Sequence, residues 1–327
     1  MPQYPDISSD AFRHPLDRQA EATLRSVPGF DLVARKFVEF VYERPQQVYL
    51  MGNTVQAGVD QYPTLYRCFK EAVAALDMRP EPTLFVTHNQ TANSYALGED
   101  MPCIVVTTGL LDLLSEAELE IVVAHECGHI QCGHTTLNQM AKWAMNAASI
   151  IGEMTFGLGN LISSGLLYAF YEWRRKAELS SDRAALLASD DVEGVMRTMM
   201  KLSGGSHQYA HELDLEAFIK QSERYHSLDD DGLNQVYKFI LYNGIGGGPM
   251  MTHPFPVERI SYLRDWATSA EYEAIKRGNY PRRSDPPNGD GEVIDAEPVD
   301  RNSSEVEALQ RELADLQAEI DRLRQRG

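Results

Sequence analysis

Apolar positions divide the chain into helical and strand-like regions. Between residues 15 and 80 they recur at helical spacing, first as Phe30, Leu32, Val33, Phe37, Val38, Phe40 and Val41. Pro63 then opens a second run through Leu65, Tyr66, Phe69, Val73 and Leu76, in keeping with proline's fit to a first helical turn. Over 82–108 the pattern shortens. Leu84-Phe85-Val86 and Cys103-Ile104-Val105-Val106 are β-rich and bounded by Pro, Asn and Gly, so they predict short strands. Ser115-Glu116-Ala117-Glu118 has the form of a capping box and predicts a helix from there through about His134. Residues 190–280 again read as helical. The pattern as a whole predicts an α+β fold, mainly helical, with a small sheet.

The end of the chain differs. Residues 281–304 hold Pro281, Pro286, Pro287, Asn288, Gly289, Gly291 and Pro298, with six acidic residues from Asp285 to Asp300. Such a composition cannot bury a core and predicts a disordered acidic linker. Beyond it, Val306, Leu309, Leu313, Leu316, Ile320 and Leu323 are spaced alternately by three and four, a three-heptad coiled-coil seam over 305–327. A helix docking on its own domain would show a wider apolar stripe. The tail is therefore expected to self-associate or to bind a partner helix. The expected layout is a helical N-terminal part at 1–80, a main unit at 81–280, the linker, and the coiled-coil helix.

Chemistry enters at His125-Glu126-Cys127-Gly128-His129, which follows the apolar run Ile121-Val122-Val123-Ala124. Residues i and i+4 share a helical face, so both imidazoles can reach one metal ion, with Glu126 beside them. Zinc takes nitrogen ligands in tetrahedral geometry and, when catalytic, leaves one position for water. Alone, the five residues are also compatible with a chance match in a buried helix. A third ligand has to come from elsewhere. His134, five residues past His129, lies about 140° off its face on a continuous helix and is expected to face away from the metal. Glu178 and Asp182 form a second i, i+4 pair. They can serve as a ligand and as the carboxylate that fixes a ligand histidine. They can also be an exposed charged face shared with Arg174 and Arg175. His207 and His211 have the same spacing, but Gln208 stands where a base would be needed, so they read as surface residues.

From about Asn93 to Arg264, roughly half its length, the chain resembles the HtpX-like and CAAX prenyl endopeptidase zinc metallopeptidases, which are gluzincins. Asn93-Ser94-Tyr95-Ala96-Leu97-Gly98 is similar to the family's Asn-Ala-Phe-Ala-x-Gly segment. Ile104 to Leu111 is similar to the strand and turn before its active-site helix, and Ala124 to His134 to the helix itself. Glu178 and Asp182 match its Glu-x-x-x-Asp, and Thr252-His253-Pro254 with Arg259 its His-Pro motif and downstream Arg. There are two departures: Ser94 replaces an Ala, which is expected to matter little, and Cys127 puts a thiol near the metal, which suggests sensitivity to oxidation.

The resemblance implies a zincin-like catalytic domain whose small sheet lies beside the metal-binding helix. It implies one zinc per chain, held by His125, His129 and Glu178, with Asp182 behind a histidine. Glu126 would be the base for a zinc-bound water, and His253 would stabilise the oxyanion. Arg259 would orient that oxyanion or balance Glu178. The Asn93, Ser94, Tyr95, Ala96 strand would offer its edge to an extended peptide. The implied activity is metalloendopeptidase, with a protein or peptide substrate. Two other readings compete. One is a zinc hydrolase of non-peptide amides, which a strand edge beside the metal would oppose. The other is a catalytically weak scaffold assembling through the tail, opposed by an intact Glu126.

Composition sets bounds. The 327 residues suffice for one large domain or two ordinary ones, and 43% hydrophobic content is that of a globular protein. A net charge of −18 argues against nucleic acid and against anionic lipid. Residues 1–10 have neither a basic nor an apolar region, so no signal peptide is expected there. Cys68, Cys103, Cys127 and Cys132 lack the spacing of a disulfide framework and are expected to be reduced, as in a cytoplasmic protein. Residues 154–171 carry no charge and precede Arg174-Arg175-Lys176, which raises the question of a membrane. His129 and Glu178 must meet at one zinc, so the intervening chain would have to cross an even number of times. Two crossings need about 40 apolar residues and a turn. Only 48 residues intervene, and the ligand helices use some of them. A buried or interfacial helical hairpin is expected over 143–171, with membrane contact at most peripheral. Gly244 to Pro249 is expected to be a loop over the cleft.

Overall fold

The computed structural model describes residues 2–27, 30, 34, 43–141, 158–228, 241 and 255–285. The described part of Met1–Arg283 is one compact unit. The glycine-rich run at 244–249, His253 and its neighbours, most of the linker, and the tail at 305–327 lie outside the described residues. So do residues 143–157 of the expected hairpin. No described helix is long and apolar enough to cross a membrane.

The N-terminal region supplies α1 (Pro15–Ser26), α2 (Glu43–Asn53) and α3 (Pro63–Ala75), the last beginning at Pro63 as the sequence predicts. Between α2 and α3 lies β1 (Val55–Gln56), in a stretch expected to be helical; two residues are too few to show a period. The other strands are β2 (Thr83–Thr87), β3 (Ser94–Leu97) and β4 (Cys103–Thr107). They form a mixed sheet in the order β1-β2-β4-β3. β2 and β4 are parallel, with Phe85 opposite Val105, and β3 is antiparallel to β4, with Tyr95 opposite Val105. β4 is buried along its whole length, which explains its unbroken apolar run. β3 is left at an edge.

A short helix, α4 (Thr108–Leu113), leads to α5 (Glu116–Gln131). The capping box forms as predicted: the Ser115 backbone N–H donates to the Glu118 carboxylate at 2.8 Å. Lys201 pairs with the same carboxylate. α5 is apolar nearly all round and runs through the core, with Leu119, Ile121, Val122, Val123, Ala124 and Cys127 all buried. It ends at Gln131, before the expected end at His134. Gly133 takes φ +71°, the left-handed conformation that closes helices, and residues 134–141 are helical again.

α6 (Leu158–Ser189) is the longest described helix and crosses α5. Small residues make the crossing close. A Cβ on Gly128 would fall 2.7 Å from the Cβ of Ala184 and 3.0 Å from the Cα of Ser181. α7 (Val192–Gly204), α8 (Leu215–Ser227), α9 (Pro256–Ala267) and α10 (Ala270–Lys276) complete the unit. His207 and His211 are exposed. Residues 281–283, at the start of the expected linker, fold back on the N-terminus. Arg282 bridges Ile7, and the Arg283 N–H donates to the Asp6 carbonyl at 2.9 Å.

Gly128→Ala is expected to force α5 and α6 apart and to destabilise the metal-free chain by about 1–3 kcal/mol. Urea unfolding checks this, and an unchanged midpoint contradicts the close approach.

Candidate metal centre

The two buried helices carry the centre. α5 presents His125 and His129 on one face, one turn apart. α6 presents Glu178 and, a turn later, Asp182. The alternative of an exposed charged face is excluded: Arg175, Glu178 and Asp182 are all buried.

Three donors converge. His125 Nε2 and His129 Nε2 are 3.2 Å apart. The two oxygens of Glu178 lie 3.3 Å from His125 Nε2 and 3.4 Å from His129 Nε2. Four ligands at 2.0–2.1 Å around a tetrahedral zinc are separated by about 3.3–3.4 Å. The three side chains already stand at that spacing, and two imidazoles with one carboxylate form a donor set that zinc accepts. Among the described residues, no other group of His, Cys, Asp and Glu has such a convergence. His125 keeps 15% of its side chain exposed and is the ligand nearest solvent.

The remaining polar atoms of the three ligand side chains are paired. His125 Nδ1 lies 3.1 Å from Asp182 Oδ1. Arg259 Nε donates to Asp182 Oδ2 at 2.8 Å, its Nη2 donates to Asp182 Oδ1, and its Nη1 lies 3.5 Å from Glu178. Burial disfavours a charged His125, but Asp182 and Glu178 outweigh it and push the imidazole up to about 10 in the absence of metal. Burial lowers His129 instead. Burial also lowers Arg174, one turn before Glu178, against the pull of Glu178, Tyr171 and Glu126.

Glu126 is buried beside the histidines, and the Ser94 hydroxyl donates to its Oε1 at 2.5 Å. The expectation that Ser94 matters little is therefore corrected, since this hydroxyl ties edge strand β3 to the carboxylate next to the ligands. Asn93 sits at the start of that strand, and Tyr95 packs on the far face of the sheet with Phe85 and Val105. Cys127 points into the core, fully buried, and burial raises its thiol. A buried, protonated thiol is a poor target for oxidation, which removes that expectation.

His134 makes a contact that the helical spacing does not foresee. It takes no place among the metal donors, as expected, yet it stays in contact with the centre: its Nδ1 lies 3.0 Å from His129 Nδ1. The helical-wheel estimate assumed a continuous helix, and the turn at Gly133 breaks it. His134 Nε2 lies 3.0 Å from Asp17 of α1. Gly133 after the apolar run is a signal that could have revealed the break. No local pattern marks Asp17, which is 117 residues away from His134.

The sequence profile of Peptidase family M48 matches residues 60–267. The plastoglobule-localized metallopeptidase 48, chloroplastic, of Arabidopsis thaliana is 32% identical over 279 residues, covering 84% of this chain and 78% of that protein. Protease HtpX homolog 2 of Methanosarcina mazei is 27% identical over 227 residues, covering 62% of this chain and 71% of that protein. A protease HtpX homolog of Ralstonia pickettii is 23% identical over 253 residues, covering 70% and 82%. No solved structure matches the chain. With a His-His-Glu cluster inside the matched segment, this chain belongs to peptidase family M48.

Proposed function

We propose that the chain is a zinc-dependent metalloendopeptidase. The observation that carries this reading is the spacing of His125, His129 and Glu178, which is that of zinc ligands, with Glu126 on the adjoining helical position. The family and the names of its relatives, a metallopeptidase and proteases, support a peptide substrate. Bound there, zinc supplies a Lewis acid that acidifies water and polarises a carbonyl.

The chain's own residues have distinct tasks. Glu126 receives the proton of the attacking water and delivers it to the departing amine. Ser94 holds the Glu126 carboxylate at one oxygen and leaves the other for that proton. Asp182 accepts from His125 Nδ1, which turns His125 Nε2 toward the metal. The contacts of Arg259 with Asp182 and Glu178 support the balancing role rather than a direct role at the oxyanion. His253 is kept as the oxyanion donor on the strength of the motif alone. β3, with Ser94 to Leu97, sits at the end of the strand order and beside Glu126, so its outer edge can take an extended peptide as an added strand. That placement favours a peptide over a small amide. The tail at 305–327 is retained as a self-association or partner helix on its heptad spacing, joined by the acidic linker to the unit at 1–280.

Purified chain is expected to hold one zinc that chelators remove. His125→Ala and His129→Ala should each empty the site, because two protein ligands do not hold zinc firmly. Glu126→Gln should keep the metal and lower peptide hydrolysis by about 10²–10⁴-fold. Metal analysis and turnover of a peptide library check both points. Full zinc in the histidine variants, or normal turnover in Glu126→Gln, contradicts the assignment.

Glu178→Ala and Asp182→Asn separate the two α6 carboxylates. The first should lose zinc and the second should weaken it by about 10–100-fold. Chelator competition measures both, and the opposite order would exchange their roles.

A further inference from the structure

Behind His129, a second polar chain runs through the core. His129 Nδ1 and His134 Nδ1 are 3.0 Å apart, and His134 Nε2 and Asp17 Oδ2 are 3.0 Å apart. His134 and Asp17 are fully buried, and His129 is buried too. The chain ends on α1, which lies before the segment matched by the family profile.

The hydrogen-bond chemistry permits one arrangement of protons. If His129 uses Nε2 as a metal ligand, the ring is neutral and its proton sits on Nδ1. That proton points at His134 Nδ1, which must therefore accept. A neutral His134 accepting at Nδ1 carries its own proton on Nε2, where Asp17 accepts it. Every nitrogen and proton along the line is then used, as buried polar groups require. We propose that Asp17 and His134 form a relay that fixes the tautomer and ring orientation of His129, making the N-terminal helix part of the metal centre. The proposal rests on the reading of His129 as a zinc ligand.

The anchor of the relay is itself held by two further partners. Arg13 Nε donates to Asp17 Oδ2 at 2.9 Å, and the Ser180 hydroxyl donates to the same oxygen at 2.7 Å. Ser180 also accepts from the backbone N–H of His14 at 3.0 Å, and it lies two residues past Glu178 on α6. Burial alone would raise the Asp17 carboxyl, but His134 and Arg13 hold it well below the ordinary range, so it remains an acceptor. Trp173 meets the His134 ring edge-on at 5.7 Å and closes the remaining side. His125 is thus backed by a carboxylate directly and His129 by a carboxylate through a second imidazole. Asp17 and His134 are positioning residues, because neither reaches the metal.

The unmodified zinc-loaded chain provides the first test. Nitrogen-15 NMR of the histidine rings should show His129 protonated at Nδ1 and His134 protonated at Nε2. His134 protonated at Nδ1 overturns the relay without touching the zinc reading. Chelator competition then compares variants. His134→Phe keeps a ring but removes both nitrogens, and zinc should bind about 10–100-fold more weakly. His134→Gln, whose amide can accept and donate at once, should recover most of that loss. A purely packing role would instead be served by Phe and not by Gln. Equal zinc affinity in the parent and His134→Phe overturns the proposal, and a parent chain that takes up no zinc overturns it together with the metal reading.

Discussion

The close crossing of α5 and α6 is the constraint on which the rest of the structure depends. One helix carries two imidazoles, the other a carboxylate, and they meet only because Gly128 lets the backbones approach Ser181 and Ala184. A Cβ at that point would press on Ala184 and Ser181 and push the two helices apart. Around the crossing both helices are buried, so their apolar residues make the core while a few polar ones face each other within it. The same packing that stabilises the unit also sets the spacing of the donors.

Polar groups placed in such a core need partners, since a buried donor or acceptor left unmade costs about 1–3 kcal/mol. Their partners come from parts of the chain far apart in sequence. Arg259 of α9 reaches Asp182 behind His125, and Asp17 of α1 reaches His134 behind His129. Ser94 of β3 reaches Glu126 between them. The centre is thus tied to the sheet, to the N-terminal helix and to the C-terminal helices. On the proposed reading, each tie orients one group that must be aimed before chemistry can occur.

Much of this was legible in the sequence because it depends on local period and spacing. Pro63, the Ser115–Glu118 box and the strand runs at 84–86 and 103–106 carry their own signals, and each element forms where those signals stand. The two i, i+4 pairs were legible for the same reason. What was not legible depends on tertiary approach. Two-residue β1 shows no period, and the exposure of Glu178 could not be judged from its charged neighbours. The contact of His134 with His129 depends on the turn at Gly133, which a continuous helical wheel does not contain. The Ser94 hydroxyl reads as a trivial change in the strand, yet it lies 2.5 Å from Glu126 only because β3 is brought alongside α5.

X-ray absorption at the zinc edge of the purified full chain tests the central claim most directly, because it reads the ligand atoms themselves. The expected result is one zinc with a first shell of nitrogen and oxygen at about 2.0–2.1 Å, outer-shell scattering from two imidazoles, and no sulfur. A sulfur shell at about 2.3 Å would place a cysteine such as Cys127 or Cys132 on the metal and contradict the His125, His129 and Glu178 assignment.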